Sequence, residues 1–230
     1  FHVNLVRATR YMQVAALFAH HEEAEVSPRG LPVRFVECPA VQKPGKRGTE
    51  DQWRAYRQAR KAQNLSVQSL ATVHELRATL DAMGAAGRTM VMAVDGSLCN
   101  RWLYREPIAG VEFIGRCRKD AALCWPAPPG TRRTYAASCF TPDQVRQDPA
   151  IGWEHQTVYY GGQRRDIRYK HVKGVLWRRG GGPRPLGLFV LAPQPYKNSP
   201  NGTTQYHQPA YLLATSERLD VRTLLQCYFD

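Results

Sequence analysis

Apolar and polar residues alternate through FHVNLVRATRY and again through MQVAALF, between Phe1 and Phe18, with the two-residue period of half-buried β-strands. The spacing predicts two neighbouring strands joined as a hairpin or a tight bend. An acidic stretch after His20 and the Ser27-Pro28-Arg29-Gly30 tetrapeptide interrupt the alternation, and LPVRFVE over 31–37 resumes it as a third strand. A basic loop, Lys43-Pro44-Gly45-Lys46-Arg47-Gly48, follows.

At Thr49 the period changes. Thr49 and Gln52 have the spacing of a capping box, which opens a helix from about Glu50 through Trp53, Tyr56 and Arg60. Asn64-Leu65-Ser66 marks a break, after which Leu70, Val73, Leu76, Leu80 and Met83 recur at three- and four-residue intervals until Gly84. The other face of this helical stretch carries Arg54, Arg57, Arg60, Lys61 and Arg77, either a solvated surface or one that touches phosphate.

The continuous apolar run TMVMAVDG, 89–96, reads as a buried strand that delivers Asp95 at its carboxyl end. Val111 to Cys117 is the next strand, followed by the basic tip Arg116, Arg118 and Lys119 and a Pro-rich loop with Arg132 and Arg133. Four short β patterns, HQTVYYG, RDIRYKHV, GVLWRR and PLGLFVLAP, lie between 135 and 196, punctuated by Gly-Gly and Pro. They predict a small twisted sheet inserted between the core strands and the last helix. Gly180-Gly181-Gly182 reads as a hairpin turn, PAYLLAT as one more buried strand, and Asp220 to Asp230 as the beginning of a helix. The resulting fold class is α/β.

Charge narrows the partners. Over 230 residues, Lys and Arg number 32 against 19 Asp and Glu, a formal charge of +13, which favours a polyanion and, among polyanions, nucleic acid over an anionic membrane. No apolar run reaches the ~18 residues of a membrane helix, and Phe1-His2-Val3-Asn4 lacks a basic lead and a cleavage site, so no membrane partner and an intracellular, cytoplasmic location are expected. The start at Phe1 and the stop at Asp230 within a helical pattern are expected to be cut ends. Cys38, Cys99, Cys117, Cys124, Cys139 and Cys227 are irregularly spaced, without a C-x-x-C pair, which reads as buried or incidental thiols rather than a zinc site or a secreted disulfide framework.

Chemistry rests on few residues. A carboxylate ending a buried strand is costly to ionise unless something positive meets it, which makes Asp95 a candidate magnesium ligand; alternatively Asp95-Gly96 forms a turn in which the carboxylate accepts backbone N–H groups. Asp120 lies beside Arg116, Arg118 and Lys119, the setting of a surface ion pair. Arg164, Arg165, Arg168, Lys170, Lys173, Arg178, Arg179 and Arg184 are interleaved with Tyr159, Tyr160, Tyr169 and Trp177. Such a mixture serves phosphate neutralisation and base stacking, or else the solvated edge of a sheet whose aromatics are core. The adjacent His20 and His21 read as loop residues. No Gly-x-Ser-x-Gly elbow, Walker loop or dinucleotide fingerprint is present, which leaves hydrolase, NTPase and dehydrogenase readings unsupported.

In order along the chain, FHVNLVRATRYMQ (1–13), the KPGKRG loop with WRAYRQARKAQNLS (43–66), VDGSLCN (94–100), IGRCRKDAAL (114–123), GVLWRRGGGPRPLGLFVLAP (174–193) and QPAYLLAT (208–215) resemble the bacterial DDE transposases of the IS4 and IS701 kind. These are insertion-sequence enzymes with a ribonuclease H-like catalytic core. The resemblance implies such a core with a mixed sheet and flanking helices, divided as 1–123 (core, first part), 124–205 (β-rich basic insertion) and 206–230 (closing strand and start of the last helix). It implies cutting and joining of DNA by two Mg2+ or Mn2+ ions held by two Asp and a Glu, with Asp95 as the second Asp.

By the same resemblance, Arg116, Arg118 and Lys119 would lie near the DNA backbone, and Arg164, Arg165, Arg168, Lys170, Lys173, Arg178 and Arg179 would grip transposon-end or target DNA. Self-association on DNA and a bacterial, nucleoid-associated location follow in the same way. The family's first Asp stands on a strand just before the segment matching Phe1, and its Glu falls beyond Asp230, where Tyr228 matches the preceding Tyr of that helix. Ser216 occupies a position where related sequences show Asp. One carboxylate of the three is present, so the chain alone is expected to be inactive as a nuclease. The alternatives are a non-catalytic nucleic-acid-binding module and a basic structural or assembly protein.

Overall fold

The computed structural model describes residues 10–18, 29–160, 162–199 and 201–230. Residues Arg10–Phe18 form one strand, β1, which pairs antiparallel with β2, Arg29–Cys38. The first half of the hairpin expected within 1–18, residues 1–9, and the pair His20-His21 lie outside the described residues; the described half, 10–18, is one strand that pairs with 29–38. The register slips between Val14 and Ala15, whose partners are Arg34 and Pro32. Pro32 has no N–H for the ladder, and a bulge is where a sheet tolerates that loss.

The capping box forms as expected: Thr49 accepts from Gln52 N and Gln52 reaches back to Thr49 N, opening α1, Glu50–Ala62. Asn64 ends that run by capping the next helix, α2, Leu65–Leu80, through Ser66 N. The helix unwinds through a wide turn at Asp81–Ala85, where Gly84 takes φ 85°, a left-handed conformation that favours glycine.

Strand β3, Met90–Val94, runs parallel to β4, Val111–Arg116, through a connection that contains the short helix α3, Arg101–Tyr104. The chain then adds β5 (Leu123–Pro126), β6 (Tyr135–Phe140), α4 (Pro142–Gln147), β7 (Glu154–Tyr160), β8 (Gln163–Leu176) and β9 (Pro185–Leu191). Two-residue strands β10 (Pro195–Tyr196) and β11 (Gln205–Tyr206) pair with each other, and β12 (Ala210–Ala214) and α5 (Val221–Phe229) complete the described chain. Thr141 and Gln144 form a second capping box at α4. Asp220 caps α5 through Thr223 N.

The expected separate small sheet does not form. One mixed sheet runs β3-β4-β12-β9-β8-β5-β6, with β7 also paired to β8. The late strand β12 inserts between β4 and β9, antiparallel to both, and so fuses the 124–205 strands to those of the first part. RDIRYKHV and GVLWRR join into the single strand β8, whose register shifts between Val172 and Val175, where Gly174 has φ 72°.

The central strands are covered on both faces, which explains their nearly uninterrupted apolar runs. Leu186, Leu188 and Val190 of β9 with Tyr211 and Leu213 of β12 join Val73, Leu103 and Phe113 on one face. Phe189 and Leu191 with Leu212 and Ala214 meet Leu224 and Leu225 of α5 on the other. The sheet therefore holds two cores, separated by the period of two.

Where α2, β3 and β4 converge, Arg77 turns inward. It was grouped with the outward cations, yet its side chain is 7% exposed. Its Nε donates to Asp81 Oδ1 at 2.9 Å, Nη1 to Arg88 O at 2.8 Å and Gly110 O at 3.3 Å, and Nη2 to Ala85 O at 2.9 Å. The carbonyls left over at the end of a helix and its following turn need donors, and a five-donor planar cation supplies several at once. Arg77→Met is expected to lower stability by about 2–4 kcal/mol, since buried acceptors lose their partners; urea unfolding with an unchanged transition midpoint would contradict this role. Gly115→Ala is expected to cost about 1–3 kcal/mol in the same assay through overpacking, because a Cβ there would stand 2.5 Å from Val94 Cγ2 and 2.8 Å from the Tyr104 hydroxyl.

Candidate functional site

The parallel pairing of β3 and β4 brings their carboxyl ends to one edge of the sheet, where open α/β sheets place ligands. Val94 pairs with Gly115, so Asp95 and Arg116 are the next residues on each strand. A Cβ on Gly96 would lie 3.6 Å from Arg116 O and 3.9 Å from Arg116 Cβ. The Asp95-Gly96 turn and Arg116 are thus neighbours, and Arg116, Arg118 and Lys119 are all exposed there.

Asp95 stands at the end of β3 as the sequence predicts, but the strand is half-buried rather than buried, with Ala93 and Asp95 exposed, and the Asp95 carboxylate caps the turn that follows. Its Oδ1 accepts from Ser97 N at 3.0 Å, Ser97 Oγ at 2.8 Å and Leu98 N at 3.1 Å. Asn100 holds this loop to α2, donating through Nδ2 to Ser66 Oγ at 2.9 Å and to Ser97 O at 2.8 Å. A divalent-ion site needs several oxygen ligands. Among the described residues no group of three or more His, Cys, Asp or Glu is placed to hold an ion. Asp95 thus stands outside any such group among the described residues.

A groove of about 1570 Å³ opens beside Asp95. Met12–Ala16 of β1 and Met90–Val94 of β3 border it, with Asp220, Gln226, Cys227 and Asp230 of the α5 region. Among the described residues β1 pairs with β2 alone and β3 with β4 alone, and both strands border this groove. The end of α5 also approaches the basic edge: burial pushes the Tyr228 hydroxyl up, and the Arg116 charge pulls it back down.

Around the corner, Arg116 and Lys119 line a smaller cleft of about 410 Å³ with Asp143, Arg146, Gln208 and Tyr211. Arg146 was missed in the sequence; its only signal is its place three residues after Asp143 in a capped helix. Arg146 Nε donates to Asp143 Oδ1 at 2.8 Å, and the Tyr211 hydroxyl donates to the same oxygen at 2.5 Å. Arg146 first, then Tyr211, pull the Asp143 carboxyl down to about 2, with Gln147 adding to them. Arg118 forks into Asp120, with Nε to Oδ1 at 2.8 Å and Nη2 to Oδ2 at 2.7 Å, both side chains exposed. Asp120 is accordingly a surface ion-pair partner that offsets part of Arg118's charge.

The 164–184 cations do not act as one cluster. Lys170 is 2% exposed, and its Nζ donates to Val145 O at 3.1 Å and Asp148 O at 2.6 Å while lying 5.0 Å from the Trp153 ring centroid. As a DNA contact Lys170 is therefore corrected: its ammonium is committed to backbone carbonyls at the end of α4. Arg184 also points inward, to Glu112 Oε2 at 3.2 Å. Arg164 and Arg168 share one face of β8 and are exposed, whereas Arg165 lies on the alternate face and is half-buried, with Nε donating to Tyr160 O at 3.0 Å. Lys173, Arg178 and Arg179 are exposed toward the other end of the strand, and β8 spans roughly 43 Å at about 3.3 Å per residue.

The interleaved aromatics are mostly core. Tyr159 and Tyr169 are buried and Trp177 packs edge-on against Tyr104 at 6.0 Å. Tyr160 is partly exposed, with the Arg165 guanidinium 5.7 Å from its ring centroid and the tilted Phe229 ring 5.0 Å away.

No family model, no curated protein and no solved structure matches this chain. No helix among the described residues is long and apolar enough to cross a membrane.

Because the folded Asp143 carboxyl titrates below its ordinary value of 3.8, the stabilisation it provides is present above that value and disappears as pH falls toward about 2. A carboxyl-carbon NMR titration is expected to place the Asp143 midpoint near 2, and Arg146→Ala is expected to move it back up. A wild-type midpoint at the ordinary value would refute the network.

Proposed function

We propose that this chain is the ribonuclease H-like part of a DDE transposase and that, by itself, it binds DNA without cutting it. The observation that carries the reading is the carboxyl edge of β3 and β4, where Asp95 and Arg116 are adjacent and α5 ends beside the same groove. The groove adds support. In the enzymes the chain resembles, a strand with the first Asp precedes the segment matching Phe1 to Gln13; a strand laid between β1 and β3 would run along the groove they border, beside two strands that, among the described residues, each have one partner. Ladder bonds on both sides are what a central parallel strand requires.

DNA binding in this reading is electrostatic. Arg116 and Lys119 meet phosphates at the carboxyl edge, and Arg164 and Arg168 extend the contact along the exposed face of β8. Arg118 contributes less, because Asp120 already occupies its fork. No metal-dependent step is assigned to the chain, since among the described residues Asp95 belongs to no group of three or more His, Cys, Asp or Glu placed to hold an ion. The hydrogen bonds on Asp95 Oδ1 favour a second reading, a non-catalytic nucleic-acid-binding module. The two readings differ in whether restoring a strand with a carboxylate beside Asp95 restores magnesium binding.

Affinity for a labelled duplex, measured by fluorescence anisotropy across a salt series, is expected to fall steeply with salt, with a slope of about 0.9 per neutralised phosphate. Reversing Arg116 and Lys119 to Glu is expected to weaken binding at least tenfold and flatten that slope. Unchanged affinity and slope would remove the edge from the DNA surface. With magnesium present the chain is expected to leave DNA intact; cleavage abolished by Asp95→Ala would overturn the inactive assignment.

A further inference from the structure

Strands β5 and β6 place Cys124 and Cys139 directly opposite one another. Directly paired residues of an antiparallel ladder have Cα atoms about 4.5–5.5 Å apart, within the span a disulfide bridges. The two sulfurs are 2.9 Å apart, roughly 0.9 Å more than the S–S bond of ~2.05 Å. Both thiols are free; Cys139 is exposed and Cys124 buried.

We propose that Cys124 and Cys139 are a covalent modification site, a vicinal cross-strand thiol pair that a peroxide-class oxidant converts to a disulfide. The exposed Cys139 thiolate attacks the peroxide oxygen, the O–O bond breaks, and Cys139 becomes a sulfenic acid as one water leaves. Cys124 sulfur then attacks the Cys139 sulfur; its proton and the sulfenic hydroxyl leave as the second water. Two thiols and one hydrogen peroxide give one disulfide and two waters. The division of roles follows from access: the oxidant reaches Cys139 from solvent, while Cys124 meets only a sulfur already beside it. Burial also pushes the Cys124 thiol up to about 11, which suits a resolving rather than an attacking thiol.

The bond has a structural consequence. β6 is the last strand of the sheet, and β5 is tied to β8 through the single pair Cys124 and Leu176. A disulfide between 124 and 139 closes the loop that carries Arg132 and Arg133 and fixes Tyr135, whose ring lies 5.6 Å from the Arg178 guanidinium. Oxidation would therefore staple the outer hairpin and the cations attached to it.

The test is a non-reducing tryptic map of the full chain after exposure to a small excess of hydrogen peroxide. Arg132 and Arg133 separate the two cysteines, so the expected product joins the peptides Asp120–Arg132 and Thr134–Arg146, is about 2 Da lighter than their sum and is released by a thiol reductant. In C124S, dimedone is expected to trap Cys139 as its sulfenic adduct, because the resolving thiol is gone. Cys139 accumulating as sulfinic acid in the wild-type chain, a cross-link elsewhere, or no loss of thiols at either position would overturn the proposal.

Discussion

A single guanidinium, that of Arg77, meets the end of α2 and the approaches to β3 and β4, and much else rests on that junction. A helix leaves its last carbonyls without partners, and the turns that lead into the two strands leave others. Arg77 answers both needs by donating to Ala85, Arg88 and Gly110 carbonyls while Asp81 offsets its charge. With the start of each strand fixed, five paired residues later Val94 and Gly115 are level. Asp95 and Arg116 are neighbours through that register, with the buried arginine at one end of the two strands and the candidate site at the other.

The same physics sorts the remaining cations. A long basic side chain buried in this fold is one that found carbonyls or a carboxylate: Lys170 at the end of α4 and Arg77 below β3, with the half-buried Arg184 paired to Glu112. Those left on the surface, Arg116, Lys119, Arg164 and Arg168 among them, carry the excess of a chain with formal charge +13. Positive charge on this molecule is thus divided between structural cations that hold turns together and exposed ones that are open to a polyanion.

Local signals in the sequence were readable to the extent that their causes were local. The Thr49 and Gln52 box, the heptad-like spacing from Leu70 to Leu80, the apolar run ending at Asp95 and the Asp220 cap each involve groups within a few residues, and each forms where its pattern places it. The inward turn of Arg77 was invisible because its carbonyl acceptors lie 8 to 33 residues away. Strand order was invisible for the same reason: β12 enters between β4 and β9 from far along the chain, and 124–205 joined the main sheet in place of closing on itself. At Asp95 the position was legible, whereas its surroundings depend on whether other acids converge there, which spacing along one chain does not encode.

The most direct test of the central claim, that the carboxyl edge of β3 and β4 is the nucleic-acid face, is amide hydrogen exchange of the chain with and without a short DNA duplex. The account predicts slowed exchange concentrated at 95–98 and 116–119, with the buried amides of β9 unchanged. Protection confined to other surfaces, with 95–98 and 116–119 exchanging as in the free chain, would contradict it.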